Sequence, residues 1–587
     1  MILKLFIISL VSLPVISFTQ SLPIFLDGKV DDWNAPVPTY TDRVGDGSSY
    51  DFKNFAVTND EEFLFIKLNI SPECKLMEDN LLSLYIDGDN DSSTGLLING
   101  IGAEGKWDFG FRSGTFYKNG STAISYPDII YRSLPTVTDT TYEIAIGRNA
   151  LPDGTDSLFT SSTIKLFFRD NDSNGDWMPD SGEIFEYTFD ETPTLPVDLI
   201  EINKEDTTLL RVMDWNVLND GLTNSSKQQY FARILQTINP DIICFSECVS
   251  ATADDAKQVM DQILPISNSQ GWYTMKMDYD DVVVSRYLIK KGWNYYPSDN
   301  RSFASLIDLP EYYGKDILTI NAHLKCCGGE DNDNRRQSEV DAIISFLKDA
   351  KTVGGSIDLP ERTPFIIMGD LNFVGLRQQL VSLITGEIID TGHFGTGGPL
   401  DWDDTDLEDL IAYQTDKRTA YTWRDDGSSY PPGRLDFQIF TNSVLDVEKA
   451  FLIQTEVMNP DRLAMYGLQK FDSGNASDHF PKVTDYHINI PTVVKDKPVP
   501  EDFMLEQNYP NPFNPSTNIG YQLADGSKVT LKIYDVLGKE IATLINEYKP
   551  AGKYEIEFDA SNLPSGVYFY QLISGENIAT KKLVLIK

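Results

Sequence analysis

The run Phe365-Ile366-Ile367-Met368-Gly369-Asp370-Leu371-Asn372 decides how the middle of this chain is read. A short apolar run closed by glycine reads as a buried strand. A carboxylate and an amide follow at once. Polar groups at the end of a rigid strand mark a functional loop, because such loops vary freely on a fixed base. The arrangement recurs on both sides of this run. Trp215-Asn216 follows Val212-Met213, Ser246-Glu247 follows Ile242–Phe245, and Asn321-Ala322-His323 follows Ile317–Ile320. Arg434-Leu435-Asp436-Phe437 and Ser477-Asp478-His479-Phe480-Pro481 complete the series.

Strand and helix signals alternate around these clusters. Leu209–Met213, Ile242–Phe245, Val282–Val284, Ile317–Asn321 and Phe365–Met368 are predicted strands, and Gln228–Thr237 and Arg336–Lys348 amphipathic helices. That is an α/β pattern over residues 205–487. Its carboxylate and amide oxygens suit a hard divalent cation, Mg²⁺ or Mn²⁺. Its imidazoles suit proton transfer or a phosphate contact. A phosphodiester needs its charge neutralised, a water activated and a leaving oxygen stabilised, and the set holds groups for all three tasks.

Taken in order, the stretches Asp214–Leu218, Pro240–Glu247, Val284–Tyr287, Asn321–Leu324, Gly369–Asn372, Gly433–Asp436 and Ser477–Pro481 resemble the endonuclease/exonuclease/phosphatase superfamily. The resemblance covers nearly all of 205–487 and implies a four-layer αββα sandwich. It implies Glu247 as main metal ligand with Asn216 beside it and Asp478 as a second ligand. Asp370 would orient or deprotonate the attacking water, and Asn372 would hold a phosphate oxygen. Asp436 would set the tautomer of His479, and His323 would contact the phosphate or act as an acid. Of the chain's 4 histidines, His393 and His487 fall outside the motifs and read as a surface-loop and a structural residue. Arg335 or Arg336 is a candidate phosphate clamp, against the alternative of a helix-start surface pair.

The chain has 587 residues, too many for one core, so several domains are expected. Hydrophobic content of 41% and aromatic content of 11% fit folded domains, not a disordered chain. Lys4 followed by an apolar run to Phe18, interrupted by Pro14, reads as a secretory signal peptide over 1–20 and not a membrane anchor. No later stretch is apolar enough to span a bilayer. The 5 cysteines are an odd number without a CxxC pair, which disfavours a zinc site. A bridge between the 244/248 and 326/327 regions stays open.

Residues 22–195 show short alternating strands such as Phe63–Leu68, Leu82–Ile86, Tyr142–Ile146 and Ile164–Phe168, the pattern of a β-sandwich. Leu26-Asp27-Gly28-Lys29-Val30-Asp31-Asp32-Trp33, Asp87–Asp91 and Thr94-Gly95 look like family 9 carbohydrate modules, which implies a carbohydrate partner, with Trp33, Trp107 and Tyr85 as stacking candidates. Burial is the commoner fate of such aromatics. Asp170, Asp172, Asn174 and Asp176 form half of a calcium-loop pattern, with Ser181 where the loop's closing Glu would stand, so Ca²⁺ is weighed there against a plain turn.

Residues 488–502 read as a Pro-containing linker and 503–587 as a small all-β domain. Gln507–Pro515, Ile533–Gly538, Leu563–Tyr568 and the ending Lys581–Lys587 are similar to the type A sorting domain of the type IX secretion system. The similarity implies partnership with that machinery and passage through the periplasm and outer membrane of a Gram-negative bacterium. A secreted or cell-surface monomer is expected, its sorting domain removed after export.

Net charge is 49 − 88 = −39. So acidic a chain offers little generic affinity for polyanions. An exported nuclease remains the first reading. The alternatives are a phosphatase or a phospholipase- or sphingomyelinase-like phosphodiesterase, and beyond them a surface-binding protein with an inactive hydrolase domain.

Overall fold

Parallel strand pairs set the geometry of the central domain. The computed structural model describes residues 23–33, 36–267, 270–296, 301–489, 503–524, 526–549, 551–575 and 577–587. The expected signal peptide and most of the expected linker lie outside them. Leu210–Asn216 pairs in parallel with Ile242–Ser246 in one sheet, and Ile317–Ala322 pairs in parallel with Phe365–Asp370 in the other. Parallel neighbours end on the same side, so each pair delivers its terminal polar residues to one edge.

The first sheet runs in the order Tyr273–Met275, Val282–Ser285, Ile242–Ser246, Leu210–Asn216, Lys482–Ile488, Leu445–Leu452, Tyr413–Gln414. The second runs Leu288–Trp293, Ser302–Asp308, Ile317–Ala322, Phe365–Asp370, Asp436–Phe440, Glu408–Asp409. Helices Gln228–Ile238 and Ala253–Ile263 cover the first sheet, burying Phe231, Leu235 and Met260 with Met213, Trp215 and Phe245. Helices Glu330–Lys351 and Arg377–Thr385 cover the second, burying Val340, Ile344 and Leu383 with Ile320 and Ile367. The architecture is the four-layer αββα sandwich. Expected elements agree within a few residues, except that the helix expected from Arg336 begins at Glu330. Glu330, Asp331 and Asp333 fill its first turn, where carboxylates face the positive end of the helix dipole.

A buried ion pair ties the first sheet together. Arg211 and Asp485 are cross-strand partners. The Arg211 Nε and Nη2 donate to the two Asp485 carboxylate oxygens, each at 2.6 Å, and Nη1 donates to Ile238 O at the end of the first helix at 2.7 Å. A bidentate guanidinium–carboxylate pair with a helix carbonyl on its spare donor leaves little charge unsatisfied.

Residues before the central domain form two antiparallel sheets around one core. One has the order Thr39–Thr41, Asp51–Asn59, Phe63–Cys74, Asp139–Gly147, Arg132–Leu134. The other is built on Thr163–Asp170, Leu82–Asp87 and Gly105–Asp108. The sandwich and the αββα domain belong to one compact unit; residues 503–587 belong to a second, with its own core around Tyr570, Leu531 and Ile519.

Two expectations for the sandwich are corrected. Trp33, Trp107 and Tyr85 are buried, the last two stacked on Tyr131 and Phe167, so none offers a face to a sugar. The carboxylates of the Asp170–Asp176 run do not gather into one cluster. Asp172 accepts from Ser173 N and Ser49 Oγ, and Asp170 accepts from Asp172 N, as in an ordinary Asx turn. Only Asp176 joins an acidic cluster, with Asp42 and Asp46.

Arg211→Met should destabilise the first unit by about 3–5 kcal/mol, because it strands a buried carboxylate. The Arg211→Met/Asp485→Leu double variant should recover most of that loss, as read from chemical denaturation midpoints.

Candidate active site

Each expected cluster sits at the shared edge of the two sheets. Asn216 ends its strand and donates from Nδ2 to Glu247 Oε1 and to Asp370 Oδ2, both at 3.0 Å. Glu247 leaves its strand at φ 60°, a left-handed conformation that costs a non-glycine residue energy. The Asn219 N–H holds it there through Oε2 at 2.8 Å. Gly369 stands at φ 128°, and a Cβ there would lie 2.3 Å from Ala322 O, so only glycine lets the two parallel strands approach before Asp370.

The antiparallel strands contribute from their beginnings, which lie at the same edge. Asp436 opens Asp436–Phe440 opposite Asp370. His479 precedes Lys482–Ile488, its place fixed by Trp215 Nε1 donating to His479 O at 2.9 Å.

Asp370 lies between two imidazoles. Its Oδ2 is 3.6 Å from His323 Nε2 and 3.7 Å from His479 Nε2. Each imidazole is held from behind by its own carboxylate. His479 Nδ1 pairs with Asp436 Oδ2 at 2.8 Å, and His323 Nδ1 pairs with Asp280 Oδ2. A carboxylate on Nδ1 leaves Nε2 aimed at the centre. Burial pushes the Asp370 carboxyl up and the imidazoles pull it back, leaving it at about 6. Burial opposes charging of the imidazoles, but the Asp280 and Asp370 carboxylates hold His323 at about 9. Asp436 and Asp370 hold His479 at about 10.

The remaining residues line the same cleft, of about 440 Å³. Asn372 stands at φ 49° and donates from Nδ2 to Leu324 O at 3.2 Å. Asp478 accepts from Trp423 Nε1 at 2.9 Å. The residues fit a divalent cation. Asp370, Asp436 and His479 bring possible ligand atoms within 4.8 Å of one another, Glu247 and Asp478 line the same cleft, and Asp436 Oδ1 is buried with no hydrogen-bond partner among the described residues. Such hard oxygen donors suit Mg²⁺ or Mn²⁺.

Residues 215–479 match the family model described as Endonuclease/Exonuclease/phosphatase family. This chain carries an endonuclease/exonuclease/phosphatase domain. Residues 507–587 match the model of the secretion system C-terminal sorting domain, so the chain is exported by the type IX system to the cell surface or beyond. Among the described residues no helix is long and apolar enough to cross a membrane. No curated protein matches the chain. Among solved structures it is similar to the AP endonuclease LMAP from Leishmania major, at 14% identity and a TM-score of 0.28, over 50% of this chain and 94% of that one. It is also similar to PorZ, a surface component of the type IX secretion system of Porphyromonas gingivalis, at 15% identity and a TM-score of 0.11, over 19% of this chain and 14% of that one.

The endonuclease/exonuclease/phosphatase site departs from expectation in two places. Arg336 is fully buried: its guanidinium is spent on Asp333, Gln379 and the carbonyls of Lys325 and Cys327. Arg335 pairs with Glu339, one turn along its helix. Neither lines the cleft, so the expected phosphate clamp is not formed. Asp280 was not foreseen. Its signal is the acidic run Asp278-Tyr279-Asp280-Asp281 ahead of Val282–Ser285. That strand is antiparallel to Ile242–Ser246, so its beginning lies at the site's edge. The 5 cysteines are free thiols.

Asp280→Asn should lower the His323 pKa in metal-free protein from about 9, because the desolvation remains when the Asp280 charge is gone and only Asp370 is left to oppose it. An NMR pH titration of the imidazole reads this directly.

Proposed function

We propose that the protein is a secreted phosphodiesterase that depends on Mg²⁺ or Mn²⁺, with nucleic acid as its first substrate class. The carrying observation is the convergence on Asp370 of two imidazoles, each backed by its own carboxylate, and of the Asn216–Glu247 pair. Glu247, Asn216 and Asp478 would hold the metal. When bound, the ion would offset phosphate charge and lower the pKa of its water.

Asp370 accepts a proton from the attacking water or orients it, being within 4 Å of both imidazoles. His479 keeps its Nε2 toward the phosphate because Asp436 occupies Nδ1. His323 does the same through Asp280 and stabilises phosphate charge or the leaving oxygen. Asn372 contributes an amide to a phosphate oxygen. An inactive binding protein would lack one of these groups, and all are present.

A second cation site is proposed in the sandwich at Asp42, Asp46 and Asp176, in place of the Asp170–Asp176 loop. Asp42 is 7% exposed, and neither of its carboxylate oxygens has a hydrogen-bond partner among the described residues. A buried, unpartnered carboxylate beside two others is costly unless a cation joins them. Millimolar Ca²⁺ should raise the thermal midpoint of wild type by several degrees and leave that of Asp42→Asn unmoved.

Chelation should abolish hydrolysis of bis-p-nitrophenyl phosphate, and Mg²⁺ or Mn²⁺ should restore it. Glu247→Gln should weaken metal activation. Asp436→Asn and His479→Ala should each lower kcat by about 10²–10⁴-fold with the circular dichroism spectrum unchanged. Wild-type activity in chelator, or in both variants, would sink the assignment.

A further inference from the structure

The cleft is not closed by the αββα domain alone. Two segments of the sandwich form one of its walls: Lys75–Glu78, and Ser133 of strand Arg132–Leu134 with Pro135, Thr136 and Val137 after it. They are anchored. Val137 is packed into the core under helix Glu330–Lys351. Thr136 Oγ1 donates to Phe373 O at 2.7 Å, and Thr138 N donates to Gly375 O at 2.9 Å. Lys75 Nζ pairs with Asp333 at 2.8 Å. The Arg112 guanidinium lies 4.2 Å over the Tyr430 ring, whose hydroxyl bonds Glu78. The wall is therefore held by both domains at several points.

Its chemistry differs from that of the catalytic end. Leu76, Met77, Pro135, Tyr430, Pro432 and Leu435 give part of the cleft an apolar, partly aromatic lining. Basic groups are scarce. Apart from the two imidazoles at the catalytic end, the only cations among the described lining residues are Lys75 and Arg301. Lys75 is paired with Asp333, and Arg301 Nη1 stands 3.8 Å from Asp280. Affinity for a duplex rests on Lys and Arg contacts to successive phosphates, and this cleft offers no row of them. Its volume of about 440 Å³ and its apolar lining suit one compact group with a few polar anchors.

We propose that the sandwich is part of the substrate site, and that its wall selects a phosphodiester bearing one flat, apolar group beside the scissile phosphate over a double helix. This inference rests on the phosphodiesterase reading above. The flat group can come from a free small diester or from a base at the end of a single strand. In both, the phosphate reaches Asp370 while the ring packs against Met77 and Tyr430.

The test compares kcat/KM of the full chain, with Mg²⁺ or Mn²⁺, on bis-p-nitrophenyl phosphate, a short single-stranded oligonucleotide and the same sequence as a duplex. The duplex should be cut at least about tenfold more slowly than the single strand. Activity on the small diester alone, or on both it and the single strand, identifies the source of the flat group, and either supports the inference. Met77→Ala and Met77→Glu should raise KM for the small diester by roughly 3–10-fold with kcat within about twofold, and Met77→Leu should restore it. Melting curves matching wild type exclude a folding defect. Equal cleavage of duplex and single strand, or an unchanged KM in both Met77 variants, overturns the wall and leaves the phosphodiesterase reading standing. No hydrolysis of any of the three substrates overturns both.

Discussion

A carboxylate buried between two imidazoles is the constraint on which the site depends. Asp370 is almost wholly buried, and its charge survives because His323 and His479 approach it from either side. Two imidazoles drawn to one carboxylate would be free to turn if nothing held them from behind. Asp280 and Asp436 take that place, and the result is a chain of alternating charge through five side chains. Such a network is costly when any member is missing, because each neighbour is then left buried and unpaired.

The network spans both sheets, so the sheets must keep register with each other. Asn216, Glu247, Asp280 and His479 come from the first sheet and its loops; His323, Asp370 and Asp436 come from the second. Between the layers, Gln438 Nε2 donates to Asp214 Oδ1 at 2.7 Å, and Tyr486 Oη donates to Gln438 Oε1 at 2.9 Å. Lys482 is buried in the same layer, where desolvation pulls its pKa down to about 8, and donates to Leu410 O at 2.8 Å. Apolar sheet faces can slide by small amounts at low cost, whereas directional hydrogen bonds cannot. The polar layer between the sheets is thus a structural counterpart of the polar site at their edge.

How much of this was legible in the sequence follows from how local each signal is. Strand-end clusters such as Gly369–Asn372 and Ser477–Pro481 announce themselves because an apolar run and its polar terminus are contiguous. Asp280 escaped because the acidic run around it looks like a solvated turn, and only the antiparallel pairing of the next strand brings it to His323. Arg336 misled for the opposite reason. A basic pair after His323 reads as a phosphate clamp, but the helix begins six residues earlier than Arg336 and turns that side chain into the protein. In the sandwich, the aspartate spacing of 170–176 suggested a loop that closes on itself, while the buried partner, Asp42, follows the strand Thr39–Thr41, far away in sequence. The wall of the cleft had no sequence signal, because Met77 and Tyr430 come to line one cleft only when two domains dock.

The two flanking domains therefore stand in different physical relations to the chemistry. The sandwich shares core with the catalytic domain through Val137 and exchanges backbone hydrogen bonds with it, including those of Leu26 with Arg418 and Ala420. Removing it would expose apolar surface and open the cleft, so its sequence is constrained by the enzyme's stability and by the shape of the substrate site at once. The sorting domain buries its own core of Tyr570, Leu531, Ile519 and Leu583 and forms a separate compact unit. A domain with a closed core can be read by an export machinery without disturbing the fold it accompanies. The chain thus divides its labour by packing: what shapes the substrate is built into the catalytic unit, and what directs export folds by itself.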